Sequence, residues 1–431
     1  IGVDLNPTDR FPDELTGSSG FEKSSNMFFL QPLLMERYIA VAERIVELAL
    51  PEEPTTETHR RTRDLIFLAT PASGLSETEA AEVVLRRFLA RAYRRQVRDD
   101  EVTRAVDQYG SGRASGLGHE GAIKQVLQSA LISPKFLFRV EAGQDGADPF
   151  PIGDWELASR LSYFLWASMP DQALFEIAAR GVLRDPATLR GQVERMLADE
   201  KADTLGTVFA AQWLGFRHVG TRIWLDPIDN PWCTAALMTA MRDESALFFL
   251  SLLRDNQPIG RLIDADYTYV NAELATTLYG MDGVEGDHMR RVSLDDPNRG
   301  GIIGQASILA LTSNYKDTSP VKRGHYILDT LLGTPPPPPP PNAGVLSEEV
   351  ADLRGLSFRE KVEMHSQNET CRVCHSKIDP IGFGLENFDY FGRWRDTYDF
   401  RRRVKTAEEA DEVVEFQTET SPDPVTRYYK N

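Results

Sequence analysis

The sequence predicts a mainly α protein, with multi-helical domains followed by a small C-terminal domain and little or no β-sheet. Three observations support this class. Apolar residues recur at helical spacing through most of the chain, with helix start and stop signals beside them. Alternating strand patterns are short and few. A run of seven prolines, residues 335–341, sets off the C-terminal region.

The helical signals follow one another along the chain. Ser76 and Glu79 form a capping-box pattern before the first clear apolar stripe. Three more stripes follow, and they include Ile123 to Leu131, Leu157 to Leu165 and Leu189 to Leu197. A longer helix is expected over about 235–253. Ser319 as N-cap and Pro320 at the first helical position predict another.

Strand candidates are confined to short segments such as 289–294 and 413–418, which allow at most a small sheet. Polar, Gly-rich breaks at 143–148 and 295–300 indicate boundaries. We therefore expect a truncated N-terminal helical domain over 1–50, a helical domain over 51–145, a central helical domain over 148–294 and a C-terminal region over 295–431. The proline run within the last region predicts a polyproline II rod that rises about 3.1 Å per residue.

Charge and hydropathy argue against nucleic-acid binding and against a membrane-spanning helix. The 431 residues carry a formal net charge of −17, and like charge would repel a phosphate backbone, so nucleic acid is not expected. No run reaches the 18 to 20 or so apolar residues that a membrane helix needs, and the longest, 246–253, is much shorter. We therefore expect no transmembrane segment in this chain.

The chemistry-bearing motif is Cys371-Arg372-Val373-Cys374-His375. Two thiols at this spacing can bond to the two vinyl groups of a haem, while the adjacent imidazole reaches the iron from the same side. The motif predicts one covalently attached haem c, with His375 as the proximal iron ligand. The alternative is a zinc half-site, which would need two further ligands, and Cys233 is the only other thiol in the sequence.

The residues after the motif are expected to complete the haem site. A proximal histidine usually donates its other ring N–H, and the stretch 379–382 could supply a backbone carbonyl as acceptor. Pro380 and Phe383 are therefore expected to contact the cofactor. Apolar residues after the motif are expected to line one haem face, to belong to an ordinary core, or both, and they are Ile381, Phe383, Leu385 and Phe388.

The second axial ligand must come from upstream, because no Met or His follows His375. Ser357 and Glu360 form a capping-box pattern, and the predicted helix places Val362 and His365 on one face. His365 is thus a possible distal ligand. The alternative is a water-bound or open distal site, and this choice separates an electron carrier from a haem enzyme.

One predicted helix also carries a cluster of cations. These could dock an acidic surface or pair with neighbouring carboxylates, and they are Arg86, Arg87, Arg91, Arg94 and Arg95.

Several strings resemble one family. They are FLARAYRR at 88–95, SPKFL at 133–137, LASRLSYFLW at 157–166, TSPVKRG at 318–324, and DPIGFGLENFD at 379–389 after the haem motif. On these the chain is identified as a member of the large planctomycete-type cytochromes, also found in myxobacteria, which are built from serial domains of unknown function. The resemblance implies export, haem c and a redox role. The segment from residue 408 onwards departs from the family pattern.

These observations lead to one expected function and two alternatives. The first is an extracytoplasmic c-type cytochrome that exchanges electrons with a redox partner protein in a periplasmic, extracellular or cell-surface location. The second is a haem-dependent oxidoreductase, a peroxidase or oxygenase with an open distal site. The third is a component of a cell-surface or multisubunit assembly, in which the haem domain is an accessory.

Overall fold

A computed structural model gives the fold and describes residues 32–71, 74–139, 141, 150–223, 230–314, 318–338, 358–404 and 413–419. Within these ranges the protein is mostly helical, so the mainly α prediction is confirmed. Contacts between residues divide the chain into two compact units, Ile1–Ala202 and Asp203–Asn431. The four sequence-based domains remain a prediction. No helix in the described ranges is both long enough and apolar enough to cross a membrane.

The first unit is built from helices α1 to α9. Their bounds are α1 Pro32–Ala49, α2 Glu57–Ile66, α3 Glu77–Ala92, α4 Asp99–Ala114, α5 His119–Leu131, α6 Pro134–Leu137, α7 Asp154–Trp166, α8 Gln172–Ala179 and α9 Pro186–Ala198. The helices α1, α3, α4 and α5 pack around one apolar core, in which Leu85, Ile123 and Leu127 are fully buried. This core follows from the apolar stripes of the sequence.

Capping explains where several of these helices begin. The predicted capping box before α3 is present, because the Ser76 side chain accepts from the Glu79 backbone N–H and the Glu79 carboxylate accepts from the Ser76 backbone N–H. Asp171 and Asp185 cap α8 and α9 with their side chains, which accept from the backbone N–H groups of Leu174 and Thr188. Buried Glu101 joins α4 to its neighbours by accepting from Arg95 Nη2 at 2.8 Å and from Lys135.

The second unit is organised around the long helix α11, Ala235–Arg254. The other elements, in chain order, are α10 Ala211–Trp213, α12 Arg261–Asp264, β1 Tyr267–Val270, α13 Ala272–Leu274, β2 Arg290–Ser293, α14 Ala306–Leu311, α15 Pro320–Tyr326, α16 Phe358–His365, α17 Glu369–Phe383, β3 Tyr398–Val404 and β4 Val413–Glu419. Single π-helical stretches adjoin α10, α13 and α15. The face of α11 packs against β1, α13 and α14.

The strands form two separate antiparallel pairs, β1 with β2 and β3 with β4. In the first pair Tyr267 lies opposite Ser293, and in the second Tyr398 lies opposite Glu419. Both strand candidates of the sequence analysis therefore form strands. The small extent of each pair is consistent with the expectation of little β-sheet.

A buried acidic group lies at the centre of the second unit. Glu244 of α11 is fully buried, and its Oε1 accepts from Thr268 Oγ1 at 2.5 Å and from the Tyr279 hydroxyl. Burial raises the pKa of Glu244 to about 7, although these hydrogen bonds oppose the rise. The Arg299 guanidinium lies 4.4 Å from the centroid of the Tyr279 ring. The carboxyl therefore exchanges a proton near neutral pH while remaining out of contact with solvent.

Close contact between α15 and α17 fixes the position of the helix that carries the haem motif. A Cβ atom on Gly382 would lie 1.9 Å from the carbonyl oxygen of Pro320, and one on Gly324 would lie 2.1 Å from that of Ile378. Only glycine leaves room for backbones this close. The two helices therefore touch through glycines at two points.

Arg323, next to this contact, is fully buried and joins α15 to the chain that follows α17. It donates to the backbone carbonyls of Leu385 at 2.6 Å, Phe388 at 2.9 Å and Asp389 at 2.8 Å. It also forms an ion pair with Glu386 at 3.2 Å. One buried side chain thus donates to three backbone carbonyls, and two of these, those of Leu385 and Asp389, also accept from a backbone N–H within a turn.

Candidate functional site

The haem motif lies in the first half of α17. This helix begins after Asn368, whose side chain accepts from the Thr370 backbone N–H at 2.9 Å, and it continues through Pro380 to Phe383. Cys374 and His375 follow Cys371 by three and four residues, so the three side chains lie on one face of the helix. Both cysteines are free thiols and half-buried. The face therefore presents two thiols and one imidazole together.

The hydrogen-bond partner of the His375 ring is the carboxylate of Asp379. His375 Nδ1 lies 2.9 Å from Asp379 Oδ1 and 3.1 Å from Oδ2. A carboxylate can only accept, so Nδ1 carries the proton and Nε2 keeps its lone pair for a metal. The expected acceptor was a backbone carbonyl from 379–382. The structure corrects this, because residues four apart on a helix are neighbours and the carboxylate is within reach.

Burial shifts the pKa values of two groups near His375, namely Asp379 and His365. The side chains of His375 and Asp379 are 14% and 8% exposed. Burial raises the pKa of Asp379 above its usual value, and the hydrogen bond from His375 opposes that shift. Burial, followed by the nearby His375, lowers the pKa of His365. A lowered pKa keeps His365 as the neutral imidazole, which is the form that binds metals.

His365 lies beside the motif, at the end of α16. Its ring centroid is 5.0 Å from that of His375, and the ring planes are inclined by 71°. Two contacts hold α16 against α17. Val362 is fully buried, and the Arg359 guanidinium lies 4.8 Å from the centroid of the Phe383 ring. Ser357, the expected N-cap of this helix, lies outside the described residues.

A cavity of about 380 Å³ borders His375. Both expected cofactor-contacting residues, Pro380 and Phe383, line it together with His375 and Asp379. Leu385 and Phe388 do not, because they pack with Leu309 in a buried apolar cluster. The structure thus places both residues in a core, and their contact with a haem stays a prediction.

Several other sulfur-bearing side chains of the second unit lie outside the group formed by His375, Asp379 and the two motif cysteines. Met281 and Met289 pack against the core around α11, and Cys233 is 1% exposed within that core. Met364 is 37% exposed. In the parts of the chain that the structure describes, no three His, Cys, Asp or Glu side chains lie close enough together to hold a metal ion by themselves.

The donor set at α17 fits a covalently bound haem better than a bare metal ion. Two free thiols on one helical face match the two vinyl groups, and an imidazole with its Nδ1 occupied by a carboxylate presents Nε2 to an iron. The second imidazole, His365, provides a candidate for the other axial position. Sequence reasoning missed Asp379 as the partner of His375, although its spacing of four residues on a helix was the available signal.

Family models match four successive segments of the chain. They are PSD3, a protein of unknown function (DUF1587), at 1–51; PSD5, a protein of unknown function (DUF1595), at 80–141; PSD4, a protein of unknown function (DUF1592), at 152–281; and PSCyt3, a protein of unknown function (DUF1588), at 299–398. The PSCyt3 segment contains the whole candidate site, and its name indicates a cytochrome-like family. No curated protein and no solved structure matches the chain. The chain belongs to the planctomycete-type family of cytochrome-like proteins built in series from these domains of unknown function.

Proposed function

We propose that this protein is an extracytoplasmic c-type cytochrome that carries one haem c and exchanges electrons with a redox partner protein. Thioether bonds from Cys371 and Cys374 would hold the haem, and His375 would be the proximal iron ligand. The bound group would supply one-electron chemistry at its iron. The observation that carries the proposal is the placement of two free thiols and the Asp379-bound imidazole on one face of α17.

The location outside the cytoplasm is part of the proposal. It rests on the attachment motif, because haem is joined to such cysteines outside the bacterial cytoplasm. A periplasmic, extracellular or cell-surface site satisfies this requirement equally. The acidic net charge of −17 favours a partner with a basic docking surface.

Electron transfer is favoured over haem enzymology by the position of His365. The His365 ring lies 5.0 Å from that of His375, so a second imidazole is close at hand as an iron ligand, and the two rings would have to move apart for a haem to lie between them. With both axial positions taken by imidazoles, the iron would have no open coordination site for a peroxide or dioxygen substrate.

The test is a spectroscopic study of the purified full chain. A pyridine haemochrome assay should give one haem per chain, and the haem should stay with the chain on a denaturing gel. The ferric spectrum should be low-spin and unchanged by added imidazole or cyanide. Cys371→Ser with Cys374→Ser should abolish covalent haem, whereas Cys233→Ala should retain it. A wild-type chain without haem after expression with the attachment machinery would refute the proposal.

Two histidine variants separate the carrier from the enzyme. His365→Ala should convert the iron to a high-spin, cyanide-binding form. His288→Ala, which removes an exposed histidine in the same unit, should leave the spectrum unchanged. A wild-type haem that is already high-spin and binds cyanide would instead support the peroxidase or oxygenase alternative.

Asp379 is predicted to set the reduction potential. A carboxylate acceptor makes the imidazole a stronger electron donor, which stabilises ferric iron. Asp379→Asn replaces a charged acceptor by a neutral one, which weakens the hydrogen bond by about 1 kcal/mol. We therefore expect a rise of at most about 40 mV in potential, because only the part of this weakening that differs between ferric and ferrous iron counts, and 59 mV corresponds to a tenfold change for one electron. A potential that is unchanged or lower would show that Asp379 does not act on the iron.

A further inference from the structure

A second cavity, of about 620 Å³, lies in the first unit, which contains none of the candidate haem residues. Residues of α2 and α3 supply most of its lining. Its inner wall includes Val84, which is 1% exposed, and Leu131, which is 7% exposed. Leu65 and Leu68 line the same cavity and are 56% and 41% exposed. The wall is thus apolar from the interior to the outer edge.

Three arginines also line this cavity: Arg61 from α2, and Arg87 and Arg91 from α3. The two on α3 are four residues apart, so their side chains lie on one face of the helix. All three are exposed. Within the part of the chain that the structure describes, their side chains make no hydrogen bond or ion pair.

The neighbouring arginines behave differently. Arg86 pairs with Glu82 at 3.0 Å and with Asp99 at 2.8 Å, and Arg95 pairs with Glu101 at 2.8 Å. Arg94 is buried and donates to three backbone carbonyls. The basic cluster seen in the sequence therefore divides into three residues with structural partners and two, Arg87 and Arg91, that are directed to the cavity.

The charge at the cavity is opposite to that of the protein as a whole. The chain has 65 acidic residues and 48 Lys and Arg residues, so carboxylates outnumber cations. Arginines that pair with none of these carboxylates therefore stand out. Glu57 is the carboxylate among the described lining residues, and it accepts from Arg60 Nε at 3.0 Å. The three lining arginines thus outnumber the local acidic charge.

We propose that this cavity binds an amphipathic organic anion, with an apolar body against Val84 and Leu131 and a carboxylate or similar head group at Arg61, Arg87 and Arg91. The volume lies in the range of small-molecule sites, which runs from about 300 to 1,000 Å³. Arginine suits the head group, because its planar guanidinium donates two parallel hydrogen bonds to a carboxylate.

Both halves of the site are needed to choose this class of ligand. A small inorganic anion would leave the apolar wall exposed to water, which forfeits its burial. A neutral hydrocarbon would fill the wall and leave the three guanidinium groups at the edge bound to water alone, so their charge would add nothing to its binding. An amphipathic anion satisfies the wall and the edge together.

The test uses the full haem-loaded chain and dansylated undecanoic acid, a fluorescent fatty acid, below its micelle concentration. Its fluorescence should rise saturably to one molecule per chain. Decanoate should displace it, and decanol should do so at least tenfold less well, because the alcohol lacks the charge that the arginines bind. No saturable binding, or equal displacement by decanol, would overturn the proposal. Binding to phosphatidylglycerol vesicles without binding of monomeric decanoate would also overturn it, in favour of a membrane surface.

Matched variants locate the site. Arg87→Gln with Arg91→Gln should weaken decanoate binding by about tenfold or more while decanol binding stays the same. Arg61→Gln should act in the same direction from the other helix. Arg86→Gln removes the same charge one residue away and should leave binding unchanged. Circular dichroism checks that each variant is folded, and equal losses in Arg86→Gln and the double variant would refute the assignment.

Discussion

Gly382→Ala is expected to separate α17 from α15. The added Cβ would lie 1.9 Å from the Pro320 carbonyl oxygen, whereas ordinary contacts begin near 3.4 Å, so the backbones must move apart by more than 1 Å. Overpacking of this kind costs about 3 kcal/mol at the upper end of its usual range. Replacing a helical glycine returns about 0.8 kcal/mol. The net loss is therefore about 2 kcal/mol, or roughly 30-fold in the local opening equilibrium.

Hydrogen–deuterium exchange read by mass spectrometry measures this loss where it occurs. Peptides from Pro320–Tyr326 and Glu369–Phe383 should exchange about 30-fold faster in the variant, while peptides from the first unit should not change. Gly110→Ala is the control, because that glycine lies within α4 and its added Cβ would meet nothing within 4 Å. It should instead stabilise α4 by about 0.5–1 kcal/mol. Unchanged protection of α15 and α17 in Gly382→Ala would refute the close-contact argument.

Three further substitutions address buried polar groups. Arg323→Met should lower the free energy of unfolding of the second unit by about 3 kcal/mol in urea titrations, because Glu386 loses its buried ion-pair partner and three carbonyls lose a charged donor. An unchanged urea midpoint would contradict this. Burial raises the pKa of Glu244 from 4.5 to about 7. The second unit should therefore lose about 3 kcal/mol of stability as the pH rises from 4.5 to 7. Glu244→Gln should remove this pH dependence in urea titrations at several pH values. The hydrogen bond from Arg95 lowers the pKa of Glu101, so the first unit should lose stability as pH falls below about 4.5. Glu101→Gln should flatten that acid limb, and an identical limb in the variant would show that another carboxyl is responsible.

Local patterns were sufficient to predict much of the fold. The Ser76 capping box and the start at Ser319-Pro320 depend on residues within one helical turn, and the structure has a helix start at each of them. The haem motif is local in the same sense, because its meaning comes from a spacing of three and four residues. For this reason the three candidate attachment residues could be named from the sequence alone.

Other features depend on partners that are distant in sequence. A proline within a helix normally predicts a break, yet α17 continues through Pro380, since packing against α15 stabilises its last turn. From the sequence, residues 379–382 are expected to offer a backbone carbonyl to His375, because the reach of the Asp379 carboxylate depends on the continued helix. The two-point glycine contact and the burial of Arg323 likewise require knowledge of which segments meet, which no periodicity in this sequence provides.

Because Cys233 is buried, the number of thiols that react with a reagent depends both on whether the chain is folded and on whether it carries haem. Of the three cysteines, Cys233 is shielded in the native core, while Cys371 and Cys374 are half-buried. A thiol reagent should therefore label two groups on the folded chain without haem and none on the folded chain with haem. In denaturant the same two samples should give three and one. A single mass-spectrometric labelling experiment can thus distinguish cofactor loading from unfolding in any variant, and it does not need an absorption spectrum.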